Sequence, residues 1–162
     1  MRAIDQGLVD EVWQEMIAYA PDRVEREAKA FLERQPHVAR FSHAVTGEFD
    51  EAAQKAALGL CFLLFKVLEA SLGRPFPPLA EARIIAAYEA TTEWLERWEG
   101  AEPRILLKSL EGGAHPSLVT YILEAFYQGD LASPEYDAEV KASLFLLLRT
   151  LADALDLDEV EH

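Results

Sequence analysis

The chain has very little cysteine. Cys61 is the only one in 162 residues, so no internal disulfide can form. It lies between Leu60 and Phe62 in an apolar run. A reactive thiolate needs a polar, electropositive environment, and the neighbouring sequence offers none. We therefore predict that Cys61 is a buried thiol that packs as a small hydrophobic residue.

The sequence also lacks a long apolar segment. Its longest apolar run, residues 56–65, is far shorter than the roughly 20 residues that cross a bilayer. The N-terminus becomes polar at Asp5, so it lacks the apolar core of a signal peptide. We expect a bacterial cytoplasmic protein with no membrane partner.

Basic residues are scarce. The chain has 15 Lys and Arg against 29 Asp and Glu, which gives a formal net charge of −14. Such a field repels phosphate backbones and anionic headgroups. The densest basic group, Arg23, Arg26 and Lys29, alternates with Glu25 and Glu27, which is typical of a salt-bridged helix face. We therefore expect no nucleic-acid partner.

Motifs that carry chemistry are missing. The sequence contains no Walker A loop, GxGxxG, GxSxG, CxxC, HExxH or EF-hand loop. The four histidines, His37, His43, His115 and His162, do not form the i, i+4 pairs within one helix that ligate metals locally. We predict no catalytic residue, no metal ligand and no cofactor.

Helical periodicity is the main positive signal. Apolar residues recur every three or four positions, and no alternating strand pattern is present. The periodicity predicts helices at about residues 5–19, 21–34, 37–46, 51–71, 79–99, 104–111, 117–128 and 138–155. We therefore predict an all-α, single-domain bundle of about seven to eight helices over residues 1–155. Residues 156–162 form an acidic tail that we expect to fray.

Two of these helices are candidates for the centre of the bundle. Residues 56–65 are apolar on every side of the helix, and residues 144–148 form a second apolar stretch. Residues 36–72 and 116–155 share a layout of proline, short helix, acidic N-cap and long apolar helix. A duplicated helical hairpin is one interpretation. Chance resemblance between Leu-rich helices is the other.

Two features could form a partner-binding surface. Trp94 and Trp98 have i, i+4 spacing with Arg97 beside them, and both residue types are enriched at interface hot spots. Phe76 lies in the proline-rich segment 74–78, which contains a PxxP pattern that could present it in extended form. The alternatives are core packing of the tryptophans and a rigid connection between helices.

A pocket between helices is a further hypothesis. Glu124 has apolar neighbours in sequence, and with Tyr121 and Tyr88 it could line such a cavity. The alternative is that Glu124 belongs to the solvated side of an amphipathic helix.

Two functions remain open. The first, which the missing motifs favour, is a non-enzymatic protein–protein interaction or regulatory domain. Its partner would be another protein or a second copy of this chain in a homodimer. The second is a helical bundle that binds a small molecule or metal and could then be an enzyme.

The histidine interpretation makes a direct prediction. Because the chain offers no local metal-ligand spacing, the purified protein should contain no stoichiometric transition metal. Elemental analysis by inductively coupled plasma mass spectrometry measures this. One metal ion per chain would overturn the interpretation.

Overall fold

The protein is described by a computed structural model that covers residues 4–97, 122 and 138–155. These residues contain six helices and no strand. The helices are α1 (Gln6–Ile17), α2 (Pro21–Arg34), α3 (Pro36–Thr46), α4 (Glu51–Leu72), α5 (Glu81–Arg97) and α6 (Ala138–Ala154). The expectation of an all-helical chain is confirmed. Within these ranges, no helix combines the length and apolarity needed to span a bilayer.

The helix starts follow simple capping chemistry. The Asp5 carboxylate accepts a 2.9 Å hydrogen bond from the Leu8 amide, and Asp50 accepts an equal bond from Ala53. Each satisfies an amide that would otherwise lack a partner in the first helical turn. Helices α2 and α3 each begin with a proline, which needs no hydrogen-bond acceptor at that position.

Gly73 ends α4. Its φ of +74° is left-handed, and its amide donates to the Glu69 carbonyl at 2.8 Å. A residue with a Cβ would be strained in this conformation, which is why helices often end at glycine. The prolines that follow, at positions 75, 77 and 78, keep the chain from continuing as a helix.

Helix α4 supplies much of the core. It packs against α1, α3 and α6. Its predicted apolar segment is largely buried, and burial continues toward both ends of the helix. The buried residues are Ala53, Ala57, Leu60, Cys61, Leu63, Leu64, Phe65, Val67, Leu68 and Ser71.

Helix α6 packs against α3, α4 and α5. Its buried apolar side chains include Leu144, Leu147, Leu148, Leu151 and Leu155, which extend the predicted 144–148 stretch by two turns. Arg149 is also buried, with Nε 3.7 Å from the Asp153 carboxylate one turn later. Helices α4 and α6, the two candidates for the centre of the bundle, pack against one another.

A single side chain fastens the extended connection between α4 and α5. Gln35 is the residue between α2 and α3, and it is only 2% exposed. Its Nε2 donates to the Pro77 carbonyl at 2.9 Å, and its Oε1 accepts from the Leu79 amide at 2.8 Å. Helix α5 begins at Glu81, two residues after the predicted Leu79.

Helix α2 differs from the sequence prediction. The spacing of Val24, Ala28, Phe31 and Leu32 along one helix face predicts that all four face the core. In the structure only Phe31 is buried. Val24 is 49% exposed and Leu32 is 38% exposed, so that part of the prediction is wrong.

Several sequence expectations lie outside the described residues. These are the predicted helices at 104–111 and 117–128, the tail at 156–162, and the first half of the second proposed hairpin. The one described residue within 117–128, Ile122, is helical and fully buried.

The Gln35 contact leads to a stability prediction. Gln35→Ala leaves the buried Leu79 amide without its partner, at a cost of about 1 to 3 kcal/mol, and removes the part-buried hydrogen bond to the Pro77 carbonyl, worth about 1 kcal/mol. We therefore expect the unfolding free energy to fall by about 2 to 4 kcal/mol, measured by urea denaturation.

Gln35→Glu is the matched control because it keeps the side-chain shape. The ionised carboxylate cannot donate to the Pro77 carbonyl, whereas the protonated acid can. Burial should raise the pKa of this carboxyl in the folded state above its unfolded value. The stability deficit of Gln35→Glu relative to wild type should therefore be smallest below about pH 4 and grow as the pH rises toward neutrality. A pH-independent deficit equal to that of Gln35→Ala would contradict the proposed hydrogen-bond pair.

Candidate functional site

The structure places Phe76 in the core. It is 5% exposed, and its ring meets the Phe65 ring edge-on at a centroid distance of 6.0 Å. Its amide lies 3.5 Å from the Glu69 carboxylate. In this conformation Phe76 is not available for direct contact with a partner, and segment 74–78 connects two helices.

The other predicted site residues are not brought together in the described part of the chain. Tyr88 is 37% exposed on α5 and contacts the Phe41 ring edge-on at 5.5 Å. The backbones of Trp94 and Arg97 belong to α5, but their side chains lie outside the described residues. Trp98, Tyr121 and Glu124 also lie outside them. The proposed tryptophan surface and the Glu124 pocket stay predictions.

Helix α2 is attached to α4 mainly through long side chains. The Phe31 ring packs edge-on against Phe62 at 5.7 Å and against Phe65 at 5.4 Å. This aromatic contact anchors the helix, because edge-to-face ring pairs add stability beyond the area that they bury.

Two ion pairs flank the aromatic anchor. Glu27 lies 3.7 Å from Lys66, and Arg34 lies 3.7 Å from Glu69. Their side chains are partly exposed, so each pair contributes at most about 1 kcal/mol. The two pairs thus orient α2 on α4, while Phe31 provides most of the binding free energy between them.

The side of α2 next to this anchor is apolar and uncovered. Val24, Ala28 and Leu32 follow one another at intervals of four residues, so they form one continuous row, which we call the α2 stripe. All three are exposed. The α1 residue Ile17, four positions before α2 begins, is also 57% exposed.

The charges of α2 differ from those of the whole chain. The helix carries four basic and four acidic residues, whereas the chain has a net charge of −14. They are Arg23, Arg26, Lys29 and Arg34 against Asp22, Glu25, Glu27 and Glu33. The α2 stripe therefore lies on a neutral helix of an otherwise strongly acidic molecule.

A groove lies between α1, the end of α4 and the connection that follows. Its volume is about 340 Å³. Glu15, Lys66, Glu69 and Arg74 bring charges of both signs to its walls. The remaining lining residues are Val12, Tyr19, Ala70 and Pro75. This composition could accept a small polar molecule that carries both charges.

Existing contacts already engage part of the groove. Glu69 contacts Arg34 and the Phe76 amide, and Lys66 pairs with Glu27. Arg74 lies at the rim and is exposed. A ligand would therefore have to compete with intramolecular partners at two of the four charged positions.

Cys61, the single cysteine, belongs to the hydrophobic core. Cys61 is completely buried, and burial raises the pKa of its thiol to about 12, although a hydrogen bond with Ser42 partly opposes this. It is therefore a protonated core residue, as the sequence indicated. The described residues also contain no group of three or more His, Cys, Asp or Glu side chains placed to hold a metal ion.

The exposure of the α2 stripe could not be predicted from its apolar spacing. Its apolar spacing is that of a buried helix face, and this spacing gives no indication of which neighbour covers it. The available signal was the charge density, because eight of the fourteen residues of α2 are charged. So many charged side chains leave only a narrow arc of the helix to enter a core.

The Cys61 environment predicts a pH dependence of stability. In the unfolded chain the thiol has a pKa near 9.0, but in the folded protein it keeps its proton to about pH 12. Stability from this group is fully present below pH 9 and is lost as pH rises, by up to about 1.4 kcal/mol per pH unit. Urea denaturation of wild type and Cys61→Ala between pH 8 and about pH 10.5 measures the effect. The difference between them should shrink as pH rises, and a constant difference would refute the prediction.

Comparison with known proteins yields no relative from which a role could be transferred. No protein-family model, curated protein or solved structure matches this chain. A function for this chain must therefore be inferred from its own residues and their arrangement.

Proposed function

We propose that this chain is a non-enzymatic, cytoplasmic interaction or regulatory domain, and that the α2 stripe is its contact surface. The observation that supports this most is the exposure of Val24 and Leu32 on a helix held by one buried residue. A row of exposed apolar side chains bordered by charges suits docking of one helix against another. Their burial against a partner would supply the favourable free energy.

The geometry of α2 adds a second argument. The ion pairs that join α2 to Lys66 and Glu69 do not involve the α2 stripe, whose three residues stay exposed beside the anchor. A partner could therefore cover the stripe while these ion pairs stay in place. Binding would require little rearrangement of the domain.

A small-molecule-binding bundle is the second candidate. The groove with Glu15, Lys66, Glu69 and Arg74 favours it, because mixed charges around a concave site can orient a polar ligand. Tyr88 does not line this groove, and the predicted pocket with Glu124 and Tyr121 stays a separate hypothesis. The groove is small, and two of its charged groups already have partners within the chain.

We also propose that α4 and α6 are the central pair of a bundle of seven to eight helices that arose from a duplicated hairpin. Support comes from the packing of α4 against α6 and from the buried apolar stretches of both helices. Each of the two also packs against two further described helices.

An affinity experiment tests the proposed contact surface. Wild-type protein and the variants Val24→Glu and Ile85→Glu serve as baits for proteins from the native host, with quantitative mass spectrometry as the measurement. Ile85 is the matched control for Val24, because both are apolar residues within a helix and they are 48% and 49% exposed. We expect Val24→Glu to reduce the captured partner at least about tenfold, because it buries a charge in the contact, and Ile85→Glu to leave it unchanged.

Equal loss with both variants, or with neither, would contradict the assignment of α2 as the surface. The ligand-binding alternative predicts a different result. A panel of small zwitterions and anions would then raise the melting temperature of wild type and of Val24→Glu, but not of Arg74→Ala.

A further inference from the structure

The dimensions of the α2 stripe constrain which partner can bind there. Its three residues span two turns of a 14-residue helix, which is about 21 Å long. Ala28 lies in the middle, and its small side chain would let a second helix approach closely. Val24 and Leu32 lie one turn to either side of it.

Charge decides which partner fits. Two copies of a chain with a net charge of −14 repel one another over most of their surfaces. Helix α2 has equal numbers of acidic and basic residues, so two copies that meet there avoid that local repulsion. A neutral, mixed-charge helix is also suited to pairing with itself, because each sign can find its opposite.

Glu25 and Lys29 border the α2 stripe on its solvent side. They are exposed and neighbour Val24 and Ala28 in sequence. Neither forms an ion pair with another residue in the described part of the chain. Both charges are therefore available to a partner.

Twofold symmetry then determines the register. If two antiparallel α2 helices cross at Ala28, Val24 of each copy lies beside Leu32 of the other. The same operation leaves Glu25 of each copy about 3 Å along the helix axis from Lys29 of the other, twice in one interface, an offset that the two long side chains can bridge. A parallel arrangement would instead place Glu25 beside Glu25 and Lys29 beside Lys29, which is repulsive.

We propose that the partner is a second copy of this chain, bound through antiparallel pairing of the two α2 helices around Ala28. This inference rests on the proposed function and identifies the partner of its contact surface. The contact is isologous, as in most homodimers. One pair of helices of this length is smaller than a standard interface, so we expect a Kd on the order of 10 to 100 µM.

Charge exchange across the symmetry axis tests the pairing. Sedimentation velocity between about 5 and about 500 µM gives the dimer Kd of wild type, Glu25→Lys, Lys29→Glu and the double variant with both changes. Each single variant places like charges together at two positions, so we expect its Kd to rise about tenfold. The double variant restores both attractions and should return to the wild-type Kd.

Several controls complete the experiment. Val24→Glu should abolish dimerisation, and Ile85→Glu should not alter it. Far-UV circular dichroism and thermal unfolding verify that all variants fold, which we expect because every changed side chain is exposed. Added salt should narrow the difference between the single variants and wild type.

The outcomes separate this inference from the proposed function. A dimer whose Kd does not respond to these changes would overturn α2 pairing. Monomeric wild type at every concentration would also overturn it, but Val24-dependent capture of a different protein would still support α2 as a contact surface. Loss of both dimerisation and Val24-dependent capture would overturn the two proposals together.

Discussion

The arrangement of the helices at the α2 end depends on one buried amide side chain. Gln35 lies where α2 ends and α3 begins, and it hydrogen-bonds the backbone more than forty residues later in the chain. Glutamine suits this contact because it carries one donor and one acceptor on the same side chain. The contact holds the proline-rich segment against the start of α3. Phe76, within that segment, packs on the Phe65 ring that Phe31 also contacts.

That placement has a consequence for the surface. Phe31 is the only buried residue of α2. The helix is therefore held in place by this aromatic side chain and its flanking ion pairs. The rest of its apolar arc has no neighbour in the described structure to cover it, as the exposure of Val24 and Leu32 shows. Apolar area that a fold leaves uncovered is available to an intermolecular contact. Because α2 carries no net charge, a second copy of this acidic chain can approach it there without strong local repulsion.

Much of the fold could be predicted from the sequence. The bounds of α2, α3, α4 and α6 agree with the predicted ones to within about two residues, because proline, Asp50 and Gly73 mark helix ends through local chemistry. Burial of Cys61 and of the apolar segment of α4 was also predictable, since a helix that is apolar on every side must be enclosed. The candidate site was not. Phe76 was expected at the surface as one hypothesis, and Val24 and Leu32 were expected in the core.

Within the described residues, the sequence by itself determined which segments are helical and, to within about two residues, where they end, and its composition makes the chain acidic. These properties depend on backbone capping, on periodicity and on counts of charges, all of which act locally or need no neighbours. Only the tertiary structure decided which apolar side chains are covered. Whether an apolar helix face is buried depends on which other segment packs against it. Two faces with the same apolar spacing can therefore differ, one buried and the other exposed. Phe76 packs against Phe65, which also contacts Phe31, whereas the α2 stripe is exposed.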